Sequence, residues 1–223
     1  MSGLWVLIML ILASSIPAMA IYLWFRIARY QFSAVRFLLI LLVGATAFFP
    51  ALILQNLFPW DLVLGDRWGL MGHMFIRIAF TEEFSRLLVL LVYLKISRWL
   101  DSTQLKSKET NSVTVQTDSE INQAQGCAVG LVAGLGLAIL ESAAYGAAGT
   151  GVILLRLFTA APLHAACGAR VGAAAVLLGF RPARSFFRFL TAVAIHGIYN
   201  YMIMLPGPFS LVAVLIAISA LAS

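Results

Sequence analysis

The sequence predicts an all-α, polytopic integral membrane protein with about seven transmembrane helices. Of its 223 residues, 62% are hydrophobic and only 11% are charged, and the mean hydropathy is +0.97. Several apolar runs reach about 20 residues, which is enough for a helix to cross a hydrocarbon core and far longer than a transmembrane β-strand. No segment is left for a soluble domain of useful size, so we expect residues 1–223 to form a single membrane domain.

The apolar runs define the expected spans in chain order. Pro50 and Pro162 lie inside the second and fifth runs and should bend those helices. Pro206-Gly207-Pro208 should form the turn between the last two spans. Gly126, Gly130 and Gly134 are four residues apart in the fourth run, so another helix can approach its backbone closely. The expected spans are Leu4–Phe25, Phe37–Phe58, Met74–Leu94, Gly126–Ala148, Gly151–Phe180, Phe186–Leu205 and Phe209–Ala222.

One long polar segment interrupts the apolar pattern. Residues 97–125 are rich in Ser, Thr, Gln and Lys and have no apolar periodicity, which predicts a flexible cytoplasmic loop. The basic residues concentrate in alternate loops, so the positive-inside rule places the amino terminus outside and the carboxyl terminus in the cytoplasm. The net charge of +6 is dispersed in short clusters, which indicates contact with lipid headgroups and no nucleic-acid partner.

Three charged residues lie inside the third expected span, in the segment Phe80-Thr81-Glu82-Glu83-Phe84-Ser85-Arg86. One such charge at the bilayer centre costs roughly 2.5–3.5 kcal/mol on insertion scales, so these charges should face one another or a hydrated cavity. Arg86 lies about one helical turn from both carboxylates and can neutralise either. Neighbouring side chains point about 100° apart, so we expect one glutamate to face the reacting centre and the other to support it.

Polar residues from four expected helices should meet in one layer. Counted from the outer ends of their helices, these residues lie roughly 8 to 18 Å below the outer surface. They are Glu82, Glu141, His164, His196 and Asn200. Singly, each has a structural interpretation as an ion-pair member, a protonated acid or an interhelical hydrogen-bonding group. Arg156, near the outer end of the fifth span, should snorkel or pair with an acid. Because all the structural interpretations would have to hold together, we favour one hydrated chamber, with the acid pair within about 12 Å of the imidazoles.

Carboxylates beside imidazoles suit two mechanisms of amide hydrolysis. In the first, a glutamate acts as general base on a water molecule, a histidine passes the proton to the leaving amine, and Asn200 helps to stabilise the oxyanion. In the second, Glu141, His164 and His196 bind Zn²⁺ while Glu82 or Glu83 activates the water. The sequence contains neither HExxH nor GxSxG, which weighs against the common zinc-helix and serine routes.

Four sequence motifs resemble those of PrsW-type intramembrane proteases. Glu82-Glu83-Phe84-Ser85-Arg86 resembles their EExxK motif, and the segment from Gly134 to Ser142, which contains Glu141, is similar to their Gly-rich FxxxE element. Arg156 and His164 match a later Arg and His, and His196-Gly197-Ile198-Tyr199-Asn200 resembles the closing HxxxN. The motifs keep their order. Arg86 replaces the usual lysine, Leu137 the usual phenylalanine, and Ser142 a common asparagine.

This resemblance implies a peptidase of the wider group that includes the CAAX prenyl proteases and bacteriocin-processing relatives. It implies that the functional residues are Glu82, Glu83, Glu141, His164, His196 and Asn200, with Arg86 and Arg156 in support. The expected substrate is a membrane-anchored protein, such as an anti-sigma factor, in the bacterial cytoplasmic membrane. Zn²⁺ is the expected metal if there is one; a metal-free glutamate mechanism stays open.

Two other function classes use similar residues. A proton- or metal-coupled transporter also buries Glu, His and Arg, but it should show inverted repeats and polar positions through to the inner side. The sequence has no clear repeat, and apart from Arg170 the inner halves of the expected spans are apolar. A non-catalytic membrane partner, in which the acids only hold the bundle together, is the third interpretation. We favour the peptidase.

Overall fold

The computed structural model describes residues 3–30, 32–57, 66–105, 118–146 and 149–222. Within these ranges the chain is almost entirely helical and contains no β-strand. A π-helical segment, His73–Phe80, joins the helix Arg67–Gly72 to the helix Thr81–Leu105. The α-helices are α1 Gly3–Ser14, α2 Ile16–Ile27, α3 Ala34–Thr46, α4 Phe48–Leu57, α5 Arg67–Gly72, α6 Thr81–Leu105, α7 Asp118–Tyr145, α8 Thr150–Phe158, α9 Ala160–Leu177, α10 Pro182–Met204 and α11 Phe209–Ala222.

The chain is an all-α integral membrane protein. Among the described residues, four helical stretches are long and apolar enough to cross a membrane, and they comprise residues 5–27, 34–57, 123–145 and 151–177. α11 is apolar but shorter, and the count of seven spans stays a prediction. Large apolar side chains cover the outside of the bundle, among them Leu42, Phe158 and Leu215. Such a surface is suited to lipid and would be unfavourable in water.

Prolines divide two of the spans as predicted. The second span is divided at Ala47, three residues before Pro50, and the fifth at Thr159, three residues before Pro162. A proline lacks an amide hydrogen and clashes with the carbonyl group four residues earlier, so the helix is disturbed about one turn before the ring. The second of these breaks separates Arg156 from His164. Gly207, in the turn between α10 and α11, has a φ of 92°, which favours glycine.

Glycines bring α7 and α9 into backbone contact at the centre of the bundle. A Cβ atom added to Gly130 would lie 2.0 Å from the carbonyl oxygen of Gly168, and one added to Gly134 would lie 2.0 Å from that of His164. Neither place has room for a side chain. The close approach expected from the glycine spacing is therefore confirmed, with α9 as the partner helix.

The polar segment that the sequence predicts to be a flexible loop is helical at both ends. α6 continues to Leu105 and α7 begins at Asp118, so both ends of residues 97–125 are helical, while residues 106–117 lie outside the described residues. Polar composition shows only that no apolar face is buried. Gln, Lys, Arg and Glu are good helix formers, so transmembrane helices can extend beyond the membrane boundary.

Candidate active site

A buried cluster of carboxylates, imidazoles and guanidinium groups joins five helices. α6 contributes Glu82, Glu83 and Arg86, and the other members come from α7, α8, α9 and α10. The side chains of Glu83 and Arg86 are fully buried, and those of His164 and His196 are 2% exposed. Both carboxylates of the acid pair lie within 3.8 Å of His196, well inside the distance of about 12 Å that hydrogen-bonded or water-bridged chemistry requires.

Glu83 is the supporting carboxylate of the pair. Its Oε2 forms an ion pair with Arg86, and its Oε1 lies 2.7 Å from Nδ1 of His196. An ionised carboxylate can only accept, so Nδ1 of His196 donates this hydrogen bond. In the neutral imidazole, Nε2 then keeps its lone pair and is free to bind a proton or a metal.

Glu82 is the less fully bonded carboxylate of the pair. Its Oε2 lies 3.8 Å from Nε2 of His196, and within the described part of the chain no hydrogen bond reaches that oxygen although it is buried. Its Oε1 lies 3.4 Å from Nε2 of Gln55. One oxygen of Glu82 is therefore held by a protein group while the other points across a gap to His196.

Glu141 and His164 form a second, adjoining pair. Nε2 of His164 lies 2.6 Å from Oε2 of Glu141, and the same oxygen forms an ion pair with Nη2 of Arg156 at 2.9 Å. Nη2 of Arg86 lies 3.0 Å from Nδ1 of His164. A guanidinium group can only donate, so Nδ1 accepts and Nε2 carries the proton given to Glu141. Arg156 thus pairs with an acid, as the sequence predicted.

The break between α8 and α9 allows Arg156 and His164 to contact the same carboxylate, that of Glu141. Thr159 occupies this break, and its hydroxyl accepts a hydrogen bond from Tyr199 at 2.8 Å and donates one to the carbonyl of Leu155. Tyr199 is on α10, three residues after His196. These bonds connect the irregular backbone at the break to the helix that carries the second histidine.

A cavity of about 190 Å³ adjoins the cluster. Its polar wall contains Glu82, Glu141 and Gln55, and the remaining wall is mostly apolar. The lining residues are Phe48, Ala51, Leu52, Gln55, Ile78, Glu82, Leu137, Glu141, Ala144 and Tyr145. A concave apolar site with a few converging polar groups is typical of substrate binding.

The donor atoms are suited to a metal ion. Single ligand atoms from Glu82, His164 and His196 all lie within 4.8 Å of one another. The cluster combines three carboxylates with two guanidinium groups, so its net charge is negative when all the carboxylates are ionised and the imidazoles are neutral, which favours binding of a cation. Oε2 of Glu82, which has no hydrogen-bond partner within the described residues, is suited to be the ligand atom of that residue. The sequence-based ligand set was Glu141, His164 and His196, whereas the geometry groups Glu82 with the two histidines. The carboxylate of Glu141 is instead paired with Arg156 and His164.

Two residues differ from the sequence-based expectations. Asn200 is half-buried one turn after His196, and within the described residues no hydrogen bond joins it to the cluster. Gln55 contacts Glu82 but was not among the predicted site residues. The signal for it was present, since a polar residue in an apolar membrane helix usually has a functional or structural partner.

Comparison with known proteins gives one match. A family model described as PrsW family intramembrane metalloprotease matches residues 34–223. The matched region contains the whole polar cluster and the cavity beside it. No curated protein and no solved structure matches the chain.

Proposed function

The chain belongs to the PrsW family of intramembrane metalloproteases, and from this premise we propose that Glu82 and His196 activate the water that hydrolyses a membrane-anchored protein. The protease role follows from the family; the catalytic assignment and the substrate are proposals. Family membership does not support the transporter alternative.

The gap between Glu82 and His196 carries this assignment. Oε2 of Glu82 and Nε2 of His196 are 3.8 Å apart. A water oxygen can lie within about 2.6–3.2 Å of both atoms at that separation, which is the reach required of a general base. Each residue is also held from behind, His196 by Glu83 and Glu82 by Gln55. Both groups therefore have a fixed direction toward the same small space.

Proton transfers at these atoms complete the reaction. Oε2 of Glu82 removes a proton from water while the water oxygen forms a bond to the scissile carbonyl carbon. When the carbon–nitrogen bond breaks, the same proton passes to the leaving amine. Glu83 keeps His196 in the tautomer whose Nε2 faces the gap. Asn200, one turn further along α10, is the proposed donor to the carbonyl oxygen as negative charge develops there.

The alternative form of this proposal is metal-dependent: Glu82, His164 and His196 would be the ligands of a divalent cation, with Zn²⁺ as the metal, and Glu82 would then hold the cation instead of acting as the base. When bound, Zn²⁺ would polarise the substrate carbonyl and make water more acidic. Glu141 and Arg86 hold His164 at its two ring nitrogens. Nε2 of His164 carries the proton shared with Glu141, so His164 would have to lose that proton to serve as a ligand through this atom.

The proposed substrate is a membrane-anchored regulatory protein, such as an anti-sigma factor, in the bacterial cytoplasmic membrane. The cavity lies near the amino-terminal end of α6 and the carboxyl-terminal end of α7. With the amino terminus outside, these ends are at the outer side of the membrane. Cleavage should therefore occur near the outer boundary of the substrate's membrane segment.

Substitution of the two carboxylates and the histidine tests this function. Glu82→Ala, Glu83→Ala and His196→Ala should each reduce cleavage of a tagged single-span membrane protein by about 100-fold or more, which is the usual contribution of acid–base groups. Ser219→Ala serves as control, because this exposed hydroxyl bonds only to its own helix. Natural substrates would be identified as membrane-protein fragments lost in cells carrying Glu82→Ala. Full activity in all three variants would refute the proposal.

A further inference from the structure

Gln55 is a polar side chain in a helix that is otherwise largely apolar. α4 has the sequence FFPALILQNL, and its only amide side chains are the neighbours Gln55 and Asn56. Asn56 is exposed, whereas Gln55 is half-buried and lines the cavity beside Glu82 and Glu141. Two adjacent amides with different surroundings provide a test position and a matched control.

The contact between Gln55 and Glu82 has a defined polarity. The amide nitrogen of Gln55 lies 3.4 Å from Oε1 of Glu82. An ionised carboxylate offers only acceptors, so the amide must present its nitrogen to it. This is a long hydrogen bond, and it engages the one oxygen of Glu82 that does not face His196.

The backbone of Gln55 is held as well. Its carbonyl oxygen accepts a hydrogen bond of 3.0 Å from Nε of Arg77, in the π-helical segment that precedes Glu82. This carbonyl is among the last four of α4, which have no partner within the helix. Arg77 therefore links the end of α4 to the helix that carries Glu82 and keeps the Gln55 amide within reach of the carboxylate.

We infer that Gln55 is a positioning residue for Glu82. By holding Oε1, it fixes the rotation of the carboxylate so that Oε2 is directed into the gap opposite Nε2 of His196. Gln55 acts through Glu82 and need not touch the substrate. The effect on rate rests on the proposed role of Glu82 as base, but the effect on the carboxylate does not.

Two substitutions separate the hydrogen bond from the shape of the side chain. Gln55→Leu removes the donor, and Gln55→Glu keeps the volume but replaces the donor with an acceptor. Asn56→Leu is the control for an amide lost from the same helix. The measurements are kcat and KM for a tagged membrane substrate, the melting temperature in detergent, and the infrared band of the Glu82 carboxyl group, assigned as the band lost in Glu82→Gln.

We expect kcat to fall about 10-fold in Gln55→Leu, in line with the loss of one hydrogen bond to a charged group. The fall should be larger in Gln55→Glu, with KM within about twofold of wild type, because the amide that is replaced bonds to Glu82. The Glu82 band should shift in both variants, while Asn56→Leu should leave every quantity unchanged. If the wild-type protein cleaves no substrate but the Glu82 band still shifts in the two Gln55 variants, the proposed function is refuted and the positioning role is retained.

Several results would overturn the inference. An unshifted band, or a kcat no lower than that of Asn56→Leu, would show that Gln55 does not position Glu82. A raised KM with unchanged kcat would make Gln55 a substrate-binding group. Loss of folded protein in both variants would assign it a purely structural role.

Discussion

Arg86 connects the two carboxylate–histidine pairs of the buried cluster. Its guanidinium group forms an ion pair with Glu83 and donates to Nδ1 of His164. A planar fork with several donors can bind two differently placed acceptors at once. Replacing Arg86 with an apolar residue would leave Glu83 as a buried carboxylate without its cation, a change that typically destabilises proteins strongly. Arg86 therefore stabilises the fold and also fixes the tautomer of His164.

The residue types of the site were predictable from the sequence, but their partners were not. Adjacent carboxylates on a helix must point in different directions, which predicts one facing and one supporting glutamate. Only the packing of α10 against α6 shows that Glu83 holds His196 and that Glu82 faces the gap. Gln55 was missed for a related reason, since its partner lies 27 residues away along the chain.

Removal of the metal tests the proposed ligands one residue at a time. If Glu82, His164 and His196 hold Zn²⁺, active protein should contain about one zinc ion per chain, and chelation should stop turnover. Zinc content measured by mass spectrometry should fall well below one in His196→Ala, while Ser219→Ala should keep it. Undiminished turnover in metal-free protein would decide for the metal-free glutamate mechanism.

At the scale of elements, the contact between α7 and α9 places His164 beside Glu141. Gly134 lies where the two backbones touch, against the carbonyl group of His164. Glu141 is seven residues, about two turns, further along the same helix. The glycine spacing predicted a close helix contact, but spacing alone could not identify the partner, because an unpaired glycine face fits any smooth helix.

Gly134→Ala tests this contact. The added methyl group would lie 2.0 Å from the carbonyl oxygen of His164, so α9 must move away. Such overpacking typically costs about 1–3 kcal/mol and should reduce both the melting temperature and kcat. Gly151→Ala is the matched control, since nothing lies within 4 Å of the added atom and alanine favours a helix. Equal behaviour of the two variants would show that the close contact does not position the site.

At the scale of the whole molecule, the helix directions bring the cluster to one end of the bundle. Glu82 is near the start of α6, Glu141 near the end of α7, His164 near the start of α9 and His196 in the second half of α10. Helices that run alternately up and down bring such positions to one level. The sequence predicted this level from residue counts, because depth needs only the rise per residue and the helix ends. The number of spans stays a prediction, since α6 and α10 combine transmembrane length with charged residues.

The orientation of this end of the bundle is the remaining prediction, and it decides where substrates are cut. Two clusters of arginine lie at the end of the bundle opposite the site, so the positive-inside rule assigns the site to the outer side. They are Arg26, Arg29 and Arg36, and Arg181, Arg184 and Arg188. In a Cys127→Ala background, where Cys167 is buried, Ser2→Cys should react with a membrane-impermeant thiol reagent on intact cells. Ser107→Cys should react only after permeabilisation. The opposite pattern would place the amino terminus in the cytoplasm, and cleavage would then be expected at the inner boundary of the membrane.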